Sequence, residues 1–128
     1  MHVSIAAQDQ VTLINNATNG NFQAMLFRWQ GAFDPDLDVY QFFHTGASLN
    51  NVHLSDPTLD HLLDQARAAT SEQARKPIYK QVAERIAADA PYDYLYASDW
   101  WRGESTKLHG VPSLGNNWFL ATTAWLSK

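Results

Sequence analysis

The sequence predicts an α/β fold with a short mixed sheet flanked by helices. Apolar residues recur at helical spacing in residues 56–69 and again in residues 70–89, which predicts a pair of amphipathic helices. Residues 22–29 and 92–97 are rich in aromatic residues and have the composition of strands. Because strand and helix patterns alternate along the chain, we expect the helices to pack against a sheet.

The composition is that of a globular domain. The 128 residues are 45% hydrophobic and 17% charged, which fits a single domain with a sizeable core. A net charge of −4 with nine scattered basic residues disfavours nucleic-acid binding, because phosphate recognition needs clustered Lys and Arg. The absence of cysteine excludes disulfides and thiolate sites.

Membrane and export signals are not found in the sequence. No apolar run approaches the roughly 20 residues of a membrane-spanning helix. No basic start followed by an apolar stretch marks a signal peptide. We therefore expect a soluble chain that carries no export signal of its own.

The first 29 residues predict a strand, a helix and a second strand. Residues 3–5 form a short strand candidate, and residues 9–18 place Val11, Ile14 and Ala17 at helical spacing. Gly20 is expected to end this helix in the left-handed conformation. The almost wholly apolar run 22–29 is typical of a strand that is buried on both faces of a sheet.

Residues 34–69 predict a turn, a short helix, a loop and a long helix. Asp34 before Pro35 signals the turn, because proline disfavours the helical region for the preceding residue. Three residues of the short helix 37–43 are expected to pack inward: Leu37, Tyr40 and Phe43. After a loop at 46–55, Asp56 caps the long helix and Pro57 takes its first position. Its apolar stripe consists of Leu59, Leu62, Leu63, Ala66 and Ala69.

A second long helix is predicted to follow directly. Thr70 and Gln73 fit a capping box at its start. Pro77 predicts a kink, or a restart of the helix near Lys76, and Pro91 prevents its continuation. The apolar stripe consists of Ile78, Val82 and Ile86. Residues 92–97 alternate like a strand, and a last strand is expected at 121–125.

Motifs for catalysis or metal binding are incomplete. Asp34, Asp36 and Asp38 have the first spacings of a calcium loop, but Val39 and Thr45 stand where that loop needs glycine and glutamate. The five histidines lack two-ligand spacing on a helix. No nucleophile elbow, phosphate loop or dinucleotide motif occurs. We therefore expect no catalytic activity, no cofactor and no metal.

Two carboxylates in the first long helix have two interpretations. Asp56 and Asp60 lie on one predicted helical face, which is compatible with a catalytic pair. Their position in the first turn also explains them, because carboxylates interact favourably with a helix N-terminus. We favour the structural interpretation.

A longer pattern runs through the middle of the chain. It consists of Arg28-Trp29-Gln30-Gly31-Ala32-Phe33-Asp34-Pro35-Asp36, then Asn50, Leu54-Ser55-Asp56-Pro57, Asp60-His61-Leu62-Leu63, Arg75 and Tyr79. This order resembles the C-terminal part of family 5 extracellular solute-binding proteins, the peptide- and nickel-binding receptors of bacterial ABC importers. The resemblance runs from about Val3 to the last residue, and those receptors are several times longer.

The resemblance implies part of a periplasmic-binding-protein type II-like lobe. Residues 1–26 are then a remnant of the smaller-lobe side of the hinge crossing. Residues 27–128 are the C-terminal part of the larger lobe, and the chain as given is one globular unit. The parent receptor is expected to capture a peptide or peptide-like solute in a two-lobe cleft and deliver it to an ABC permease. Its location is expected to be periplasmic or otherwise extracytoplasmic.

The resemblance assigns ligand contact to one short stretch. Trp29 matches the family's cleft-lining tryptophan, and Gln30 and Phe33 lie in the same loop. Ala32 stands where peptide-binding members have an aspartate for the ligand's amino group, and Asp34 is the nearby substitute. The alternative for Trp29 is a buried strand residue. The remaining matching positions are expected to be structural: Asn50, Leu54, Pro57, Asp60, Arg75 and Tyr79.

Two further expectations concern the isolated chain. Most of the cleft would come from residues outside it, so it should bind ligand weakly or not at all. Apolar faces and strand edges normally covered by the rest of the receptor favour self-association. The rival interpretation is a stand-alone small α/β enzyme or interaction domain, which a tight, saturable activity would reveal.

Overall fold

A computed structural model of the protein describes residues 2–99, 101–112 and 120–128. The chain separates into two compact units, Met1–Asp93 and Tyr94–Lys128, where the sequence suggested one. The division follows from the core, because the main hydrophobic cluster draws its members from residues 39–92. The assignment of residues 1–26 and 27–128 to two receptor lobes stays a prediction.

The first helix, α1 (Gln10–Thr18), confirms the sequence prediction at both ends. The Asp9 carboxylate accepts hydrogen bonds from the Val11 and Thr12 amides at 3.0 and 3.1 Å, which satisfies two free donors of the first turn. After the last turn, Gly20 has φ +69°, a conformation that costs glycine little.

A π-helical turn (Asp36–Tyr40) leads into the short helix α2 (Gln41–Phe43). Phe43 is buried and Tyr40 is half-buried, as predicted, but Leu37 is exposed. The prediction for Leu37 was wrong because it assumed α-helical spacing. The wider π-helical turn rotates residue 37 away from the face that residues 40 and 43 share.

Helix α3 (Pro57–Ala68) begins as predicted, with Asp56 accepting a hydrogen bond from the Thr58 amide at 2.9 Å. The predicted stripe faces the core through Leu59, Leu63 and Ala66, which are buried. Asn50 fixes the loop before this helix. Its side chain binds the Leu54 amide and carbonyl at 2.9 and 2.8 Å, which confirms its structural role.

Helix α4 (Glu72–Asp89) packs against α3 and completes the core with Val82 and Ile86. Its cap is Ser71, whose hydroxyl accepts from the Ala74 amide at 3.2 Å, so the predicted capping box at Thr70 was wrong by one residue. The sequence predicted a kink at Pro77 or a restart near Lys76. One helix runs through Pro77, so the restart was wrong and the kink stays a prediction. The favourable packing of its apolar stripe compensates for the missing amide hydrogen bond.

The strand predictions for residues 3–5, 22–29 and 92–97 were wrong for the structure as described. These residues form no strand, and Leu26, Tyr94 and Tyr96 are exposed. A strand exists only when a neighbouring strand binds its backbone, and the described residues provide no such neighbour for these runs. The interpretation as a partial type II lobe stays a prediction.

The second unit contains a small antiparallel sheet. Its strands are β1 (Leu108–His109) and β2 (Trp125–Leu126), with Leu108 opposite Leu126 and His109 opposite Trp125. The strand predicted at 121–125 therefore overlaps β2 at a single residue. Among the described residues, no helix is long and apolar enough to cross a membrane.

Candidate functional site

The four predicted ligand-binding residues lie in one exposed stretch of the first unit, residues 27–34, which we call the Trp29 segment. Trp29 is 49% exposed, so the alternative interpretation as a buried strand residue is wrong. Its indole packs edge-on against Phe42, with ring centroids 5.2 Å apart and an interplanar angle of 85°. It also stacks on Phe27 at 6.3 Å. Aromatic neighbours on two sides leave part of the ring in contact with solvent.

Asp38, in the π-helical turn, holds this segment through two hydrogen bonds. The indole Nε1–H of Trp29 donates to Asp38 Oδ1 at 3.3 Å, and the Ala32 amide donates to Oδ2 at 2.5 Å. Between these donors, Gly31 brings the backbone close to the carboxylate, since a Cβ built there would lie 3.4 Å from Oδ2. One carboxylate thus connects a side chain and a backbone group of the same segment.

Asp34 is held by an ion pair with Arg75 of helix α4. Both carboxylate oxygens accept from the guanidinium, at 2.5 and 3.1 Å, and Oδ1 also accepts from the Asp36 amide at 3.0 Å. The Arg75 hydrogen bonds, followed by the Asp36 amide, lower the pKa of Asp34 from 3.8 to about 2. Asp34 raises the pKa of Arg75 in turn.

Arg75 is oriented by a second partner. Its guanidinium donates to the Tyr79 hydroxyl at 3.3 Å and lies 5.4 Å from the centre of the Tyr79 ring. The predicted structural role of Arg75 and Tyr79, an ion pair or packing site, is confirmed. The pair fixes the end of the Trp29 segment to the helices.

Phe33 and Gln30 complete the predicted set. Phe33 is 68% exposed, and Gln30 is exposed as well. Trp29 and Phe33 therefore present two aromatic surfaces to solvent within five residues of chain. Ligand contact by Trp29, Gln30, Phe33 or Asp34 stays a prediction.

The aspartates with calcium-loop spacing point to three different partners. Asp34 binds Arg75, Asp38 binds the Trp29 segment, and Asp36 forms a two-pronged ion pair with Arg67 at 2.9–3.1 Å. The Arg67 guanidinium in turn lies over a tyrosine ring of the π-helical turn. In the described parts of the chain, no group of three or more metal-binding side chains converges.

Asp56 and Asp60 bind different partners. Asp56 caps helix α3 and accepts from Arg85 Nε at 2.6 Å, and this hydrogen bond lowers its pKa. Asp60 accepts from the Thr45 amide at 2.8 Å, which ties the preceding loop to α3. The structural interpretation is confirmed for both carboxylates.

An open depression of about 450 Å³ lies elsewhere in the first unit. Its lining is more apolar than polar and comes mostly from the loop before α3. The residues are Thr18, Thr45, Gly46, Ala47, Ser48, Asn50, Asn51, His53, Leu54 and Ser55. None of the four predicted ligand-binding residues is among them.

Sequence reasoning missed Asp38 and Phe42 as partners of Trp29, and it named Arg75 without its partner. Asp38 was considered only for its calcium-like spacing. No local motif marks its role, because the carboxylate reaches Trp29 and the Ala32 amide only when the chain folds back. The pairing of Asp34 with Arg75 spans 41 residues and has no local signal.

Two curated relatives match part of the chain. It is 31% identical over 84 residues to the oligopeptide-binding protein AppA of Bacillus subtilis, covering 63% of the chain and 15% of that protein. It is 32% identical over 88 residues to Protein XP55 of Streptomyces lividans, covering 60% of the chain and 16% of that protein. No family model and no solved structure matches the chain.

The chain therefore spans about one sixth of the length of the curated relatives it matches. One of the two carries a name that records oligopeptide binding. The similarity is to a binding protein, and it is partial and distant.

Proposed function

We propose that the chain is part of a substrate-binding protein of an ABC importer, and that the Trp29 segment contributes to a cleft for peptides or peptide-like solutes. The observation that carries the proposal is an exposed pair of aromatic side chains, Trp29 and Phe33, on a segment held by Asp38 and by the ion pair of Asp34 with Arg75. The partial similarity to an oligopeptide-binding protein supports the same class of ligand.

The physical case for a binding surface is preorganisation. Large exposed aromatic side chains provide apolar contact area, and binding is stronger when they do not have to be ordered first. Asp38 and Arg75 order the segment before any ligand arrives. Gln30 adds an amide that is suited to a peptide backbone, since it both donates and accepts hydrogen bonds.

Asp34 has a different role in this proposal. A peptide ammonium needs a counter-ion when it is buried, and Asp34 already has Arg75 as its partner. The Asp34 side chain is 47% exposed, so it remains partly open to solvent. We therefore assign Asp34 mainly to positioning the segment, with contact to a ligand's amino group as a secondary role.

The wider roles rest on the same proposal. Since the matched proteins are about six times longer, most of the cleft would come from residues beyond this chain. The two-lobe closure, delivery to a membrane permease and an extracytoplasmic location are all part of the proposal. Binding by these 128 residues is then expected near a dissociation constant of about 1 mM, equivalent to about −4 kcal/mol.

Weak binding of this kind is best tested by NMR. The ¹⁵N-labelled protein is titrated with an equimolar mixture of synthetic tripeptides, and the indole and backbone amide signals are followed. We expect saturable shifts of the Trp29 indole and of backbone amides in the Trp29 segment. The variant Trp29→Ala, followed through the backbone amides alone, should weaken tripeptide binding about tenfold, equivalent to about 1.4 kcal/mol.

The matched control is Trp101→Ala. Trp101 is 93% exposed and belongs to the second unit, so its removal should leave the titration unchanged. Saturable shifts confined to residues outside the Trp29 segment would contradict the proposed site. Equal weakening by both variants would show that the peptides bind exposed tryptophans without specificity.

A further inference from the structure

We propose that Asp38 is the positioning residue of the candidate binding surface. In this assignment its carboxylate fixes the orientation of the Trp29 ring and thereby determines which part of the indole a ligand meets. The inference rests on the proposed function only for the identity of the ligand. The orientation of Trp29 is a property of the free protein.

The first step is the geometry of the carboxylate. Its two oxygens receive different donors, Trp29 Nε1 at 3.3 Å on Oδ1 and the Ala32 amide at 2.5 Å on Oδ2. The two oxygens give each donor an acceptor of its own. The two bonds together set the position of the backbone and the direction of the indole edge.

The second step is the support that Asp38 itself receives. It lies in the π-helical turn Asp36–Tyr40, next to the ion pair between Asp36 and Arg67, which holds the turn against α3. Phe42, one helical turn further, packs edge-on against the Trp29 ring at 5.2 Å. The indole is thus oriented by one polar and one apolar contact from adjacent turns.

The third step concerns the ligand. Because the indole N–H is already donated to Asp38, a ligand meets the face and outer edge of the ring instead of its donor. The surface is therefore suited to apolar or flat groups, such as a peptide side chain or the face of a peptide bond. A ligand that relies on accepting a hydrogen bond from Trp29 would have to displace Asp38.

The test measures the Trp29 indole signal in the free protein. The signal is assigned with Trp29→Phe, and its solvent exchange is compared in wild type, Asp38→Ala and Asp38→Asn. We expect Asp38→Ala to accelerate indole exchange about fivefold and to shift its resonance. Asparagine keeps one acceptor oxygen for the two donors, so indole exchange in Asp38→Asn should lie between wild type and Asp38→Ala.

The matched control is Asp89→Asn, which changes a carboxylate at the end of α4 whose partner is Arg85. It should leave the indole signal unchanged. Far-UV circular dichroism verifies that the helices persist in every variant. Indole exchange in Asp38→Ala that equals exchange in Asp89→Asn would overturn the proposal.

The same variants separate this inference from the proposed function. If Asp38→Ala changes the indole signal and also weakens the tripeptide shifts, both are supported. If it changes the indole signal while tripeptides perturb nothing in the Trp29 segment of wild type, the positioning role stands and the proposed function fails. If tripeptides bind equally to wild type and to Asp38→Ala, the positioning role in binding is overturned.

Discussion

Helices α3 and α4 and the Trp29 segment belong to the same unit but are stabilised in different ways. The helix pair satisfies its own backbone hydrogen bonds and buries apolar side chains between its faces. The Trp29 segment has no regular backbone pairing, and its aromatic side chains are 40–68% exposed. Its conformation depends on side chains of its neighbours, chiefly Asp38 and Arg75.

The difference separates the side chains that stabilise the fold from the side chains that are available for binding. Side chains that fill the helical core are costly to remove and unavailable to a ligand. Exposed side chains on a segment that is held by polar contacts can be removed with little loss of stability, and they are accessible to a ligand. If this division is correct, substitutions in the helical core will mainly lower stability. Substitutions in the Trp29 segment will mainly weaken binding.

The largest effect is expected for Leu63→Ala in α3. Leu63 is 1% exposed, so the change leaves a cavity between the helices and should lower the free energy of unfolding by about 3 kcal/mol. The matched control is Leu26→Ala beside the Trp29 segment. Leu26 is 72% exposed, and its removal should change stability by less than about 0.5 kcal/mol. Urea unfolding followed by far-UV circular dichroism compares the two, and equal losses would refute the division.

The helix pair was predictable because its determinants are local. Spacing of Leu59 and Leu63 reveals the buried face, and Asp56 with Pro57 marks the start. Each helix forms its hydrogen bonds within a few residues of chain. The errors in α4 were small, since competing caps at Thr70 and Ser71 differ by one residue.

The strand predictions failed for a physical reason. Residues 22–29 and 92–97 have strand composition, but composition reports only how a residue fits a sheet that already exists. Whether a sheet forms depends on partners far along the chain. The described residues supply no partner for these two runs.

The next largest effect is expected for Asp56→Ala. This change removes the cap of α3 and the hydrogen bond with Arg85. Loss of the cap alone should cost about 1 kcal/mol, and loss of the Arg85 bond adds to it. Asp93→Ala, at an exposed position after α4, is the control and should have little effect. The same urea experiment measures both, and a neutral Asp56→Ala would mean that another group satisfies the helix start.

The candidate site was predictable only in part. The exposed residues Trp29 and Phe33 were named from the sequence, through the family pattern that contains them. Their anchors were not, because Asp38 and Arg75 act through tertiary contacts without a sequence motif. A carboxylate nine residues from its indole partner becomes visible only once the chain folds back.

A smaller effect on stability, but a clear one on ionisation, is expected for Arg75→Ala. The pKa of Asp34 is about 2 in the folded protein, below its ordinary value of 3.8, because Arg75 binds the carboxylate. The stabilisation is complete above the ordinary pKa and is lost as the pH falls from about 4 to about 2. Arg75→Ala should return the pKa towards 3.8 and remove this dependence.

The measurement is the ¹³C shift of the Asp34 carboxyl group as a function of pH. Arg67→Ala is the matched control, since Arg67 pairs with Asp36 and not with Asp34. It should leave the Asp34 titration near its wild-type position. An Asp34 pKa that stays low in Arg75→Ala would mean that the Asp36 amide, and not Arg75, holds the carboxylate.

The smallest effect on stability is expected for Phe33→Ala. Phe33 is 68% exposed, so its removal should change the free energy of unfolding by less than about 0.5 kcal/mol. The buried Phe43 is the matched control, and Phe43→Ala should cost about 3 kcal/mol, as much as Leu63→Ala. Urea unfolding distinguishes the two variants.

The same Phe33→Ala variant also tests whether stability and binding are separated, because tripeptide binding can be measured on it as well. If Phe33 belongs to the proposed surface, Phe33→Ala should reduce the tripeptide-induced shifts in the Trp29 segment while the protein keeps its full stability. If Phe33→Ala changes neither the stability nor the tripeptide shifts, Phe33 has to be removed from the candidate site. A large loss of stability would instead show that Phe33 packs against the protein in solution, which would place it with the helical core on the other side of the comparison.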